Sequence, residues 1–319
     1  MEATNNISLI SVPTDMGSVF PGKSRAPDAL LEVGLVDKLR ALGYQVNTHN
    51  ALPDGPVGWA ESEPEPNGAR NEAAAVAVCQ AVKSTIASAL ASAPHDAPQP
   101  FQLVLGGECL ICPAIMSALT HHMPSKRVGL LYVDADCDLT YPHELGSTGN
   151  IAGMTFTHLT LRPGALQSMQ EFSKPGGGGV VDSSNAVLFG LNSGSPANKR
   201  DHLGYLFDEH YRVITSTAVA ANPVARAAEA LSWLEERVDH ILVHLDVDVI
   251  DPGMFPLGNV PNWTGVGFPK IMTALRIFLA SRKAVGLTIA EVNPDHDPGL
   301  RMTSRLVDEI VLSLKAHMQ

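Results

Sequence analysis

The sequence predicts an α/β fold of three layers, with a mostly parallel, eight-stranded sheet held between helices. Three observations carry that expectation. Short apolar, β-prone runs such as Val128–Val133 and Ile241–Leu245 read as buried strands. Helical segments separate most of them, which is the pattern of a parallel sheet covered on both faces. Carboxylates gather after two of the runs, at Asp134, Asp136 and Asp138 and again at Asp246, Asp248 and Asp251. Open α/β sheets place their ligands at the carboxyl ends of strands.

The elements follow in order. Ile7–Val12 is the first strand, stopped by Pro13, and a Gly/Pro/Ser loop runs to Arg25. Leu30, Leu31, Val33, Leu35, Val36, Leu39 and Leu42 form one helical stripe that ends near Gly43. Tyr44–Thr48 is the second strand, and residues 51–68, rich in proline and glycine, are a surface loop. An alanine-rich helix over 71–93 leads to the strand Phe101–Leu105, then a helix over 113–122. After the central strand and its aspartates comes a loop to Asn150, and a helix near 151–161. The glycine run Gly176–Gly179 lacks the lysine and spacing of a P-loop and reads as linker. Strands over 186–191 and 212–215 precede a helix over 223–238 and the second acidic strand. A helix over 270–280, a strand over 284–292 and a closing helix over 302–315 complete eight strands. No internal repeat or domain boundary interrupts residues 1–319, so the chain is read as one domain.

Composition narrows the class of function. Hydrophobic residues make up 45% and charged residues 17%, as in a globular protein. A net charge of −11 argues against nucleic-acid and anionic-membrane partners. Four cysteines are too few for a disulfide scaffold, and Cys109 with Cys112 is a weak redox signal. Met1–Asn6 shows no basic region, and no stretch reaches the length of a membrane span, so a cytoplasmic protein is expected.

Five carboxylates at two strand ends need a cation or protons to sit together. Asp134, Asp136, Asp138, Asp246 and Asp248 are therefore candidate ligands of a divalent metal. Cys137, between two of them, points to the core; Asp251 before Pro252 suits a turn.

At this point the chain resembles the ureohydrolases, the family of arginases and agmatinases. Ser11-Val12-Pro13-Thr14-Asp15-Met16-Gly17 with Arg25-Ala26-Pro27 is similar to the family's opening. Gly106-Gly107-Glu108-Cys109 stands in place of its Gly-Gly-Asp-His. Asp134-Ala135-Asp136-Cys137-Asp138 resembles Asp-Ala-His-x-Asp, and Thr148-Gly149-Asn150-Ile151-Ala152-Gly153 resembles Ser-Gly-Asn-x-His-Gly. Asp246–Pro252 and Ala290-Glu291-Val292-Asn293-Pro294 match the two closing motifs.

The resemblance implies two manganese ions sharing a hydroxide that attacks a guanidinium carbon and releases urea. It implies metal ligation by Asp134, Asp138, Asp246 and Asp248, a guanidinium grip by Glu291, and catalytic parts for Asp138 and Glu291. Thr148, Asn150 and Ser195 fall at substrate-binding positions. Both histidine ligands are replaced, by Cys109 and Asp136, and the shuttle histidine by Ala152. A thiolate shifts preference from manganese toward zinc or iron, and one ion in place of two is the alternative. His143 and His244 are candidate substitutes for the shuttle. Ser195 stands where an acidic residue helps hold an amino-acid substrate, so the expected substrate is a guanidino compound other than plain arginine. A cyclisation or other changed chemistry, or a non-catalytic binding relative, are the alternatives. Trimers or hexamers are the family's usual assemblies.

Overall fold

A computed structural model of the chain describes residues 5–93 and 98–317. The reading of Met1–Thr4 as free of a targeting signal lies outside the described residues. Among these residues eight strands form one sheet: β1 (Asn6–Val12), β2 (Gln45–Asn50), β3 (Phe101–Gly106), β4 (Val128–Val133), β5 (Ala186–Leu191), β6 (Arg212–Thr215), β7 (His240–Asp246) and β8 (Ala284–Ala290). Their order is β2-β1-β3-β8-β7-β4-β5-β6, and every pairing is parallel, so the sheet is more uniform than the mostly parallel one expected.

Among the described residues ten α-helices cover it: α1 (Ala26–Glu32), α2 (Leu35–Ala41), α3 (Glu72–Ala91), α4 (Cys112–His122), α5 (Thr155–Thr160), α6 (Arg200–Asp208), α7 (Ser216–Ala221), α8 (Pro223–Glu235), α9 (Phe268–Leu279) and α10 (Arg301–His317). Successive strand residues serve opposite layers, as a two-residue repeat requires. Leu131 and Val133 enter the core shared with α8, α9 and α10, whereas Leu130 and Tyr132 enter the core shared with α3 and α4. Both faces are apolar, which is why apolar side chains predominate in the central strands.

Four expectations need correction. The stripe from Leu30 to Leu42 is two helices, because Gly34 adopts φ +84° and turns the chain between them. Leu30, Leu35 and Leu39 still share one core, so periodicity alone did not show the break. The helix near 151–161 is a 3₁₀ turn, Ile151–Met154, followed by the short α5. α6 buries only His202 and Leu206, too sparse a stripe to read, and the six-residue α7 was also missed. Finally, α3 is long and apolar enough to pass for a membrane span by composition, contrary to the expectation of none. It packs Val78, Cys79, Val82 and Ile86 into the core.

Candidate metal centre

The four central strands, β3, β8, β7 and β4, are neighbours, and each ends in a residue of the site. Cys109 follows β3, Glu291 follows β8, Asp246 closes β7 and Asp134 follows β4. Chain order scatters these residues over the sequence; sheet order brings them to one edge.

Local geometry aims them inward. β4 stops at Val133, so Asp134, Asp136 and Asp138 do not alternate along a continued strand. The chain turns instead: Asp134 Oδ1 accepts the Asp136 N–H at 2.7 Å, and Asp138 sits at φ +47°. Asp138 Oδ2 accepts the Tyr132 hydroxyl at 2.6 Å. Asp246 Oδ1 accepts the Asp248 N–H at 2.6 Å, which caps the 3₁₀ turn Val247–Val249. Gly258 leaves room for Asp248, whose Oδ1 lies 1.5 Å from where a Cβ would stand. Gly107 likewise lets the β3 turn press on Thr14, whose carbonyl oxygen a Cβ would meet at 1.5 Å.

Cys109, Asp136, Asp138, Asp246, Asp248 and Glu291 line one cleft of about 310 Å³, with Asp134 buried behind them. Donor atoms of Cys109, Asp246 and Glu291 lie within 4.8 Å of one another, as do those of Cys109, Asp134 and Asp138. Asp134 Oδ2 and Asp248 Oδ1 are buried with no hydrogen-bond partner. Burial first, and neighbouring carboxylates second, push the carboxyls of Asp134, Asp246 and Asp248 well above the usual range. Burial also raises Asp138 well above that range and raises Asp136. Partnerless buried oxygens among like charges are what a divalent cation would satisfy, so the donor set fits one.

The thiol of Cys109 is 2.9 Å from Asp246 Oδ2 and 3.2 Å from His244 Nε2. Burial and then Asp246 push that thiol well up, while burial drives His244 down to about 3. His244 stacks on Tyr132 at 4.9 Å and is wholly buried, so it supports Cys109 from beneath the cleft. His143 is exposed and does not line the cleft.

The expected substrate-binding residues divide. Thr148 lines the mouth, and Asn150 does not reach the cleft. Ser195 turns its hydroxyl to Asp136 Oδ1 at 2.9 Å and so acts on a site carboxylate rather than facing the open cleft. Ala152 is in the wall, with no titratable group at that place. Cys137 is buried in the core, and Asp251 closes a turn by accepting the Gly253 N–H at 2.8 Å.

Sequence reasoning missed Lys23. Its Nζ lies 2.9 Å from Glu291 Oε2. Lys23 is 2% exposed, and burial works most strongly against its charge, yet Glu291, Glu108 and Asp248 together outweigh burial and raise its pKa. Asp15 builds the loop that carries it, accepting N–H groups of Gly22 at 2.7 Å and Ser24 at 3.1 Å. The Gly/Pro/Ser composition signalled a loop; nothing local signalled that it folds into the cleft. Glu108, also missed, accepts from Gly17 N at 2.9 Å and Ser18 Oγ at 2.6 Å. Burial raises its carboxyl to about 7 despite those bonds.

A parallel sheet that brings a thiol and three carboxylates to four adjacent strand ends builds an acidic cleft, and the comparisons say which family carries it. The arginase family profile matches residues 5–316, and the chain belongs to that family, enzymes that hydrolyse amidino C–N bonds. It is 26% identical over 301 residues to an arginase of Staphylococcus aureus strain MRSA252, covering 93% of each chain. Among solved structures it is similar to Entamoeba histolytica arginase in complex with L-ornithine, with TM-score 0.82, 21% identity, and coverage of 98% of this chain and 99% of that one. It is also similar to proclavaminate amidino hydrolase from Streptomyces clavuligerus, with TM-score 0.67, 19% identity, and coverage of 99% and 92%.

Proposed function

We propose that the protein is a metal-dependent hydrolase cleaving a carbon–nitrogen bond of an amidino or guanidino compound other than plain arginine. Family membership supports the reaction class. The observation that supports the changed substrate is the setting of Ser195. Position 195 carries a hydroxyl and not a carboxylate, and that hydroxyl is already engaged with Asp136, so it offers no charge-assisted bond to an α-amino group. The outer wall instead presents Val19, Phe20 and Val260, which suit a tail more apolar than that of an amino acid.

Asp134, Asp136, Asp138, Asp246, Asp248 and Cys109 would hold the cation. Five carboxylates favour manganese, and a thiolate from Cys109 would favour zinc or iron. A divalent ion, when bound, supplies water activation and offsets negative charge at the reacting carbon. The protein supplies orientation. Tyr132 fixes Asp138, Cys109 N–H fixes Glu291 Oε1 at 3.1 Å, and Glu291 faces the reacting group across the cleft.

A second reading makes Cys109 a nucleophile with His244 as its base, on the strength of their 3.2 Å contact. The environment opposes it. The thiol is pushed up and the imidazole down, so both rest uncharged and the activating ion pair is disfavoured.

The test is product release from a panel of amidino compounds by metal-supplied protein. Compounds with apolar tails should turn over faster than arginine, and Glu291→Gln should lower that turnover at least a hundredfold with metal content unchanged. Arginine as the best substrate would sink the substrate assignment. Turnover unchanged in Glu291→Gln would sink the role of Glu291.

A further inference from the structure

Glu291 has no free oxygen. Its Oε1 accepts the Cys109 N–H at 3.1 Å, and its Oε2 meets the Lys23 ammonium at 2.9 Å. A planar guanidinium binds a carboxylate through two parallel N–H bonds, which need both oxygens. One oxygen is turned to the backbone here and the other to a cation of the chain itself. A second cation brought against the same carboxylate would meet the first at contact distance, in a buried site where such repulsion is poorly screened.

Lys23 is not a stray surface lysine. The Asp15 bonds to Gly22 and Ser24 bracket it on both sides. Gly22 adopts φ +117°, and a Cβ there would lie 2.3 Å from Asn293 Oδ1, so only glycine brings the loop this close to the β8 end. Asn293 answers by donating to the Pro21 carbonyl at 3.4 Å and to Asn259 Oδ1 at 2.7 Å. The lysine is thus built into the cleft wall. An ammonium carries three N–H donors, and Glu291 uses one. Lys23 lines the cleft and so has donors to offer a ligand.

We propose that Lys23 fills, from within the chain, the place on Glu291 that a substrate guanidinium would take. The group bound there is then an uncharged acceptor, such as an acyl-substituted amidine that is neutral in the site. An acyl group withdraws electrons from the amidine, lowers its basicity and brings the oxygen that an ammonium donor seeks. This rests on the reading that an amidino carbon–nitrogen bond is cleaved, and it makes Lys23 a specificity-determining residue with Glu291 as its anchor.

Two probes of one shape test it on the full-length, metal-supplied protein: methylurea, planar and uncharged with an oxygen acceptor, and methylguanidinium chloride. Titration calorimetry should show wild type binding methylurea at least tenfold more tightly than methylguanidinium. Lys23→Ala should gain at least tenfold for methylguanidinium, and Lys23→Ala/Glu291→Gln should lose that gain. A folded Lys23→Ala protein without the gain overturns the proposal, whether or not it binds methylurea. Should Lys23→Ala not fold, wild type decides alone: equal or tighter binding of methylguanidinium, or no binding of methylurea, overturns it. Amidine turnover is a separate readout. Methylurea preference in a protein that hydrolyses no amidine would leave Lys23 in place and remove the hydrolase reading.

Discussion

The Lys23 ammonium stands 2.9 Å from the Glu291 carboxylate, with both side chains almost wholly inside the protein. A buried pair of this kind adds little net stability, because desolvation offsets attraction, but removing one partner strands the other. Lys23→Met should therefore cost about 3–5 kcal/mol, and Lys23→Met/Glu291→Gln should recover most of it. Urea denaturation of the four proteins in the cycle checks this. Additive losses would mean that the pair is not coupled.

The loop that delivers Lys23 depends on one backbone conformation. Gly22→Ala places a side chain at φ +117° and into Asn293. A loss of about 1–3 kcal/mol is expected from the strained backbone alone. Turnover should fall as well, since Lys23 moves with the loop. A fully stable, fully active variant would show that the loop closes some other way.

Acid sensitivity should arise partly from His158. Both its ring nitrogens are buried without partners, and burial drives its pKa to about 3. Between that value and about 6.5, the unfolded chain binds a proton that the folded one does not. The contribution is whole above about pH 6.5, and stability falls as pH drops below it, by up to about 1.4 kcal/mol per unit for this group. His158→Leu should flatten the slope of stability against pH between 6.5 and 5. An unchanged slope would place the acid sensitivity elsewhere, His244 being the next candidate because burial lowers it similarly.

The apolar wall makes its own prediction. Phe20 is 53% exposed at the cleft mouth, a costly place for a bare aromatic ring. For a substrate with an apolar tail, Phe20→Ala should raise KM about tenfold, equivalent to about 1.4 kcal/mol, and leave kcat nearly unchanged. A fall in kcat with KM constant would place Phe20 in closing the site instead of binding the tail.

Much of the fold could be read from the chain because its strands are buried on both faces. Runs such as Val128–Val133 need no partner to declare themselves, and all eight strands were found within a few residues. The helices that escaped, α6 and α7, bury too little for periodicity to show. In the site, Asp134, Asp246 and Glu291 were legible because each directly ends or follows a strand. Lys23 was not, because its role depends on Asp15, Gly22 and Asn293 meeting across the fold. Ser195 was read as a substrate-binding position, and its bond to Asp136 was not legible. Position along the chain indicates the neighbourhood, and only the turn at Asn192–Asn198 shows that its hydroxyl points to Asp136.

The central claim is that the acidic cleft exists to hold a divalent cation. Elemental analysis of the purified protein, after expression with manganese, zinc or iron each supplied, tests it most directly. The expected result is a near-stoichiometric divalent ion in at least one preparation, lost in Asp134→Asn/Asp246→Asn while the fold is kept. Protein free of metal in all three preparations would contradict it, leaving the paired carboxylates to share protons instead.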